Sequence, residues 1–194
     1  MTKAEKTRQF IIEQTAPIFN IKGYSGTSMS DLTEATGLTK GSIYGNFENK
    51  DEVALAAFDH NLRQVSAVLK AELDKQTSAR DRLLVFPQVY RGFLSAPFPT
   101  GGCPILNTAL EADDTHPQLK QKAAEAITAW KRATVKIING GIAAKEFKAG
   151  CDAGQAALTI ISGIEGGIII CKLTGRLDDF KKIMSQVEKY INEL

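Results

Sequence analysis

Ser28-Met-Ser-Asp31-Leu-Thr-Glu-Ala-Thr-Gly37-Leu-Thr39-Lys40-Gly41-Ser42-Ile43-Tyr44-Gly-Asn46-Phe47 is the stretch on which the reading of this chain turns. Ser28-x-x-Asp31 is a capping box that opens a helix, and Gly37 is the residue type that stops one. Thr39 caps a second, short helix that ends near Phe47. Ile43 and Phe47 lie four apart and face inward, which leaves Lys40 and Tyr44 on an outward face. A lysine, a glycine, a serine and a tyrosine at the start of a short exposed helix suit the major groove of DNA. They offer donors to base edges and phosphates and one place where the backbone can come close.

Upstream, Thr2-x-x-Glu5 is another capping box, for a first helix running to about Lys22. Pro17 lies inside it and predicts a bend, and Gly23-Tyr-Ser-Gly26 ends it. Downstream, Asn49-x-x-Glu52 caps a fourth helix whose first residue is Lys50. Leu32, Ala35, Leu38, Ile43 and Phe47, with Ile12 and Phe19, supply a small shared core. We place an N-terminal three-helix helix-turn-helix domain at residues 1–48, with its motif at 28–47, and a helical regulatory and dimerisation domain at 49–194.

The helical period continues through that second domain, so the fold class is all-α. Further helices are expected over about Ala79–Leu94, Pro104–Ala112, from His116-Pro117 past Ile138, Asp152–Leu173, and from Asp178 or Asp179 onward. Ser95-Ala-Pro-Phe-Pro-Thr-Gly-Gly is a break, and Asn139-Gly140-Gly141 is a weak point in the long helix.

Composition narrows the function. The net charge is only +2, and residues 1–50 carry six basic against five acidic side chains, so charge alone does not announce nucleic acid. Three cysteines without CxxC spacing, and an N-terminus without an apolar run, predict thiols in a reducing, cytoplasmic setting. Ala156–Leu173 is apolar but holds Glu165 and several glycines, which fits a buried helix and no membrane partner. With two histidines and no HExxH, GxSxG or phosphate-loop pattern, no catalytic residues are assigned and the chain is not read as an enzyme. Glu111, Asp113 and Asp114 have only generic spacing, so neither a metal site nor a cofactor is assigned.

The set Phe19-x-x-x-Gly23-Tyr24, Thr27-Ser28-Met-x-Asp31-Leu32 and Gly37-Leu38-Thr39-Lys40-Gly41-Ser42-Ile43-Tyr44-x-Asn46-Phe47-x-x-Lys50 closely resembles the TetR family of bacterial transcriptional regulators. The likeness covers about the first 60 residues; the remainder fits in helix count and order. It implies a homodimer of nine-helix subunits, each placing its recognition helix in half of a palindromic double-stranded DNA operator. By the same resemblance, Lys40, Gly41 and Tyr44 match base-edge positions, and Ser28, Ser42, Asn46 and Lys50 match phosphate-contacting ones. Thr39 joins this DNA-binding set as the cap of the reading helix. Thr33 and Asn46 depart from the usual alanine and histidine. The function so implied is a repressor released by a small effector.

Two sites are expected in the C-terminal part. Small residues three and four apart, with isoleucines beside them, predict a closely packed dimer interface through Gly163, Ile164, Gly167 and Ile168, joined by Ile183 and Val187 of the last helix. Phe86, Tyr90, Phe93, Leu106 and Trp130 are either core or, by the family resemblance, the lining of a cavity for a small hydrophobic effector. Cys103, between Gly101-Gly102 and Pro104, falls at a helix N-terminus, a position that lowers a thiol's pKa. It is either a buried cap residue or the sensor of an electrophile- or redox-responsive repressor with no conventional ligand.

Overall fold

The computed structural model describes residues 1–112 and 115–194; Asp113 and Asp114 lie outside the described residues. Among the described residues there are nine helices and no strands: α1 Lys3–Gly26, α2 Met29–Thr36, α3 Lys40–Tyr44, α4 Lys50–Leu73, α5 Ala79–Tyr90, α6 Pro104–Ala112, α7 Pro117–Ala143, α8 Ala153–Thr174 and α9 Leu177–Glu193.

Most helix starts follow from their caps. Thr2 and Glu5 exchange both capping-box hydrogen bonds, as do Ser28 and Asp31. Asn49 Oδ1 accepts from Glu52 N at 2.9 Å, and Asp152 Oδ1 accepts from Gly154 N and Gln155 N. Gly37 closes α2 at φ 64°, a left-handed conformation that costs glycine nothing.

Two local expectations are corrected, at α5 and α9. In α1, Pro17 lies inside the helix and the break falls at Gly23 (φ 70°, ψ −179°), where two helical segments meet. Glu13, whose carbonyl loses its partner to Pro17, is solvent-exposed, where water can satisfy it. The fifth helix stops at Tyr90, and Arg91 turns to bind the Glu188 carboxylate on α9 at 2.9 Å. Helix α9 begins at Leu177 without a side-chain cap, so Asp178 and Asp179 sit in its first turn, where the helix dipole favours carboxylates.

The chain packs as two compact units. The first comprises residues 1–66 and 94–124. Its core joins Ile11, Ile12, Ala16 and Phe19 of α1 with Leu32 and Ile43 and with Val53, Ala57 and Phe58 of α4. Helix α6 packs on α1 in this same unit.

The second unit comprises residues 67–93 and 125–194, with α8, α9 and α5 side by side. Helix α8 has the length and apolarity of a membrane span, yet Ile160, Ile164, Ile168 and Cys171 are buried in the unit's own core. Helix α7 continues unbroken through Asn139-Gly140-Gly141, and a side chain at Gly141 would occupy the position of the Phe147 ring.

Candidate nucleic-acid interface

Helix α3 is five residues long and owes its start to Thr39, whose hydroxyl accepts from Ser42 N at 3.1 Å. Ile43 is fully buried and Phe47 nearly so, which fixes the roll of the helix. Lys40 and Tyr44 are therefore exposed, Tyr44 to 37%, with the Lys40 ammonium 5.8 Å from the Tyr44 ring centroid. Gly41 is exposed as well, and a Cβ there would meet nothing nearer than the Thr39 hydroxyl at 3.9 Å. Its φ is not in the left-handed region, so neither packing nor backbone geometry inside the chain calls for glycine at 41.

The other expected residues divide. Ser28 is exposed, but its hydroxyl accepts from Asp31 N at 3.1 Å and donates to Asp31 Oδ2 at 2.8 Å, so it serves first as a cap. Lys22 binds the same aspartate at 2.7 Å; with the Ser28 hydrogen bonds it holds the Asp31 carboxyl well below the usual range. Asn46 turns its amide back to donate to Ser42 O at 2.9 Å. Lys50 opens α4 and holds its ammonium 4.3 Å from the centre of the Tyr24 ring. Thr39, Lys40, Gly41, Ser42, Tyr44 and Lys50 thus share one short segment around α3 and the start of α4.

Arg8 is the residue that local pattern reading missed. From the first turns of α1 its guanidinium lies over the Phe47 ring, donates to Asn46 O, and binds the Glu52 carboxylate at 2.6 Å. Glu52 also accepts from Glu48 N, and these two partners, backbone first, lower its pKa. One arginine therefore ties α1 to the corner that follows α3. Tyr24 does the same from the other end of α1. Its hydroxyl donates to Asp51, which pushes the phenol pKa up to about 12. His116 packs edge-on against Tyr24, and its Nε2 lies 3.8 Å from Asp51 without a hydrogen-bond partner.

Glu111 is engaged by the backbone of α1: Oε2 accepts from Tyr24 N and Oε1 from Ser25 N, both at 2.6 Å. No group of three or more metal-ligating side chains occurs among the described residues, and the other two acidic residues near Glu111 in sequence, Asp113 and Asp114, lie outside them. The crevice beside Glu111, lined by Asn20, Tyr24, Asn61 and Asn107, measures about 20 Å3, room for one water and no larger ligand.

The expected effector residues fall in both units. Cys103 and Leu106 belong to the first, where the Cys103 thiol is fully buried just before α6. Phe86, Tyr90, Phe93 and Trp130 belong to the second. There Trp130 stacks on Tyr90 with centroids 5.1 Å apart, Phe86 tilts against Trp130 at 5.9 Å, and Phe93 meets Phe180 edge-on. The Trp130 indole Nε1, buried, has no hydrogen-bond partner.

Of the residues expected at the dimer interface, Ile164, Gly167, Ile168 and Val187 are buried within the protomer, and Gly163 and Ile183 are half-buried. Ile164 and Ile168 are fully buried. Gly163 and Gly167 lie against α9, where a Cβ would press on Val187 in one case and on Ile183 and Met184 in the other. The surface that α8 leaves open is a neighbouring stripe: Leu158, Ser162, Gly166, Ile170 and Leu173, with Leu177 beyond it.

Comparison with known proteins agrees with this geometry. Residues 11–57 match the domain described as "Bacterial regulatory proteins, tetR family", and residues 79–187 match "Tetracyclin repressor-like, C-terminal domain". A TetR-family regulator from Cytophaga hutchinsonii is 49% identical, with 98% of this chain and 96% of that one covered and a TM-score of 0.95. A TetR regulator from Chloroflexus aurantiacus is 36% identical, with 100% and 98% covered and a TM-score of 0.94. The regulator FadR from Bacillus subtilis, solved in complex with stearoyl-CoA, shares the fold at 20% identity, with 96% and 98% covered and a TM-score of 0.76. With a capped five-residue helix presented outward at its N-terminal end and matches extending over most of its length, this chain belongs to the TetR family of helix-turn-helix transcriptional regulators.

Proposed function

We propose that the protein is a homodimeric repressor in the bacterial cytoplasm that reads a palindromic operator with α3 and is released by a small effector. The observation that carries the reading is Gly41. It has open space around it on the face shared by Lys40 and Tyr44, so the missing side chain serves a surface outside the chain. Lys40 and Tyr44 are assigned to base edges, and Ser42, Lys50 and the exposed caps at Ser28 and Thr39 to phosphates, with Asn46 as a support for Ser42. Two copies related by a two-fold axis would present their reading helices roughly 34 Å apart, one helical turn of DNA.

The open apolar stripe of α8 supports the dimer: Leu158, Ile170 and Leu173 are large exposed hydrophobics on one helix, with Gly166 between them. The aromatic group around Trp130 supports an effector that is apolar and carries a hydrogen-bond acceptor for the unpartnered indole N–H. The fully buried Cys103 gives no support to the thiol-responsive alternative.

Selection of bound sequences from randomised duplex DNA tests the reading. An enriched inverted repeat with half-sites one turn or a small multiple apart is expected. Enrichment of an asymmetric site, or of none, would overturn it.

A further inference from the structure

We infer that Glu111 is a positioning residue for DNA binding: its carboxylate, reaching from α6, clamps the break in α1 and thereby sets the stance of Tyr24 and Lys50. The inference rests on the assignment of Lys50 to a phosphate. All the groups involved lie within the first unit.

The geometry begins at Gly23. Its φ of 70° breaks α1 and turns the next two N–H groups, of Tyr24 and Ser25, toward one point. Successive N–H groups after a left-handed residue form a concavity that attracts an anion. Glu111 fills it with one oxygen on each N–H, both at 2.6 Å. A Cβ on Gly23 would fall inside that carboxylate, so the glycine provides both the backbone angle and the space. The same α6 is fastened to α1 a turn earlier. Asn107 Nδ2 donates to Asn20 O at 2.9 Å, and Asn20 Nδ2 donates to Thr100 O and Gly102 O just ahead of α6.

What the carboxylate holds leads directly to the proposed interface. Tyr24, whose N–H it accepts, carries the Lys50 ammonium over its ring and donates its hydroxyl to Asp51. Ser25 lies three residues before Ser28, the cap of α2. The order is thus α6 carboxylate, α1 corner, Tyr24 ring, first turn of α4. Any displacement of α6 that withdraws Glu111 leaves two N–H groups unpaired and loosens the platform under Lys50.

The sign of the expected effect separates this role from simple electrostatics. Removing a negative charge from a DNA-binding unit should by Coulomb attraction alone strengthen binding. The clamp predicts the opposite. Glu111→Gln keeps the volume and one acceptor, and should weaken binding by about threefold; Glu111→Ala should weaken it by about tenfold, about 1.4 kcal/mol.

The probe is a labelled duplex recovered by selection with the wild-type protein. Folding is checked by circular dichroism and by the stoichiometry of binding, which a merely structural defect would lower and which should stay unchanged. In a Lys50→Ala background, Glu111→Gln should cost little further, because the clamp acts through Lys50. Unchanged or tighter binding by folded Glu111→Gln overturns the inference, as does a full additional cost in the Lys50→Ala background. If Lys50→Ala is itself silent, the phosphate assignment fails and the inference fails with it, whereas Lys40→Ala reports separately on the reading helix.

Discussion

The guanidinium of Arg8 lies 3.9 Å from the centre of the Phe47 ring, joining residues at opposite ends of the DNA-reading module. The ion pair with Glu52 is more than a third exposed on both sides and adds little by itself. The contact of the guanidinium with the face of the Phe47 ring and the donation to Asn46 O are what lysine cannot reproduce. Arg8→Lys should therefore cost about 1 kcal/mol and Arg8→Ala about 1–2 kcal/mol, read by urea unfolding. Operator affinity should fall in both. Equal stability of Arg8→Lys and wild type would reduce the contact to a surface salt bridge.

Gly41→Ala should separate stability from function. Alanine is the better helix former by up to about 1 kcal/mol, and the site has room for its methyl group. Thermal stability should stay level or rise while operator affinity drops by about tenfold or more. A variant that binds as well as wild type would show that the backbone at 41 does not approach the duplex.

Stability should decline in acid, for reasons that can be assigned. Burial, then the Arg63 charge, lowers the His60 pKa. Lys22 and Ser28 lower that of Asp31, and Glu48 N–H and Arg8 that of Glu52. In each case the unfolded chain binds the proton more tightly, so protonation favours unfolding. The loss through His60 should begin as pH falls below about 6.5, and the loss through the carboxylates below about 4. Tyr24 acts in the other direction. Held protonated up to about 12 by its hydrogen bond to Asp51, it contributes stability that disappears as pH rises past about 10 toward that value. Melting temperature against pH should show a plateau between, and His60→Gln should remove the upper part of the acid slope. A flat profile between pH 7 and 5 in the wild type would exclude the histidine's share.

Leu173→Glu and Ile170→Glu should convert the proposed dimer to monomer, because both side chains are exposed on the open stripe of α8. Gly163→Ala should instead lower the melting temperature with the dimer intact, since its methyl would push into Val187 of α9. Sedimentation velocity and thermal unfolding of the three variants check both halves. The reverse pattern would return Gly163 and Gly167 to the subunit interface.

Those two glycines mark the limit of what the sequence makes legible. The caps at Thr2, Ser28, Thr39, Asn49 and Asp152 are local chemistry, and each opens its helix as expected. The roll of α3 followed from Ile43 and Phe47. Helix α8, by contrast, is apolar on nearly every side, so its period does not say which stripe meets α9 and which remains open. Gly163 and Gly166 look alike in sequence and differ only in what lies opposite: Val187 for one, nothing within 4 Å for the other. Arg8 and Glu111 were illegible for a different reason. Their partners lie 38 to 87 residues away, and no local spacing encodes such a contact.

The first unit is assembled from two separated lengths of chain, residues 1–66 and 94–124. An engineer who grafts only the N-terminal length onto a relative, hoping to transplant target preference, leaves behind the helix that bears Glu111 and Asn107. The chimaera would carry the right letters on α3 above a borrowed foundation. Exchanging both lengths together is the minimal swap that keeps the reading head and its brace from the same parent.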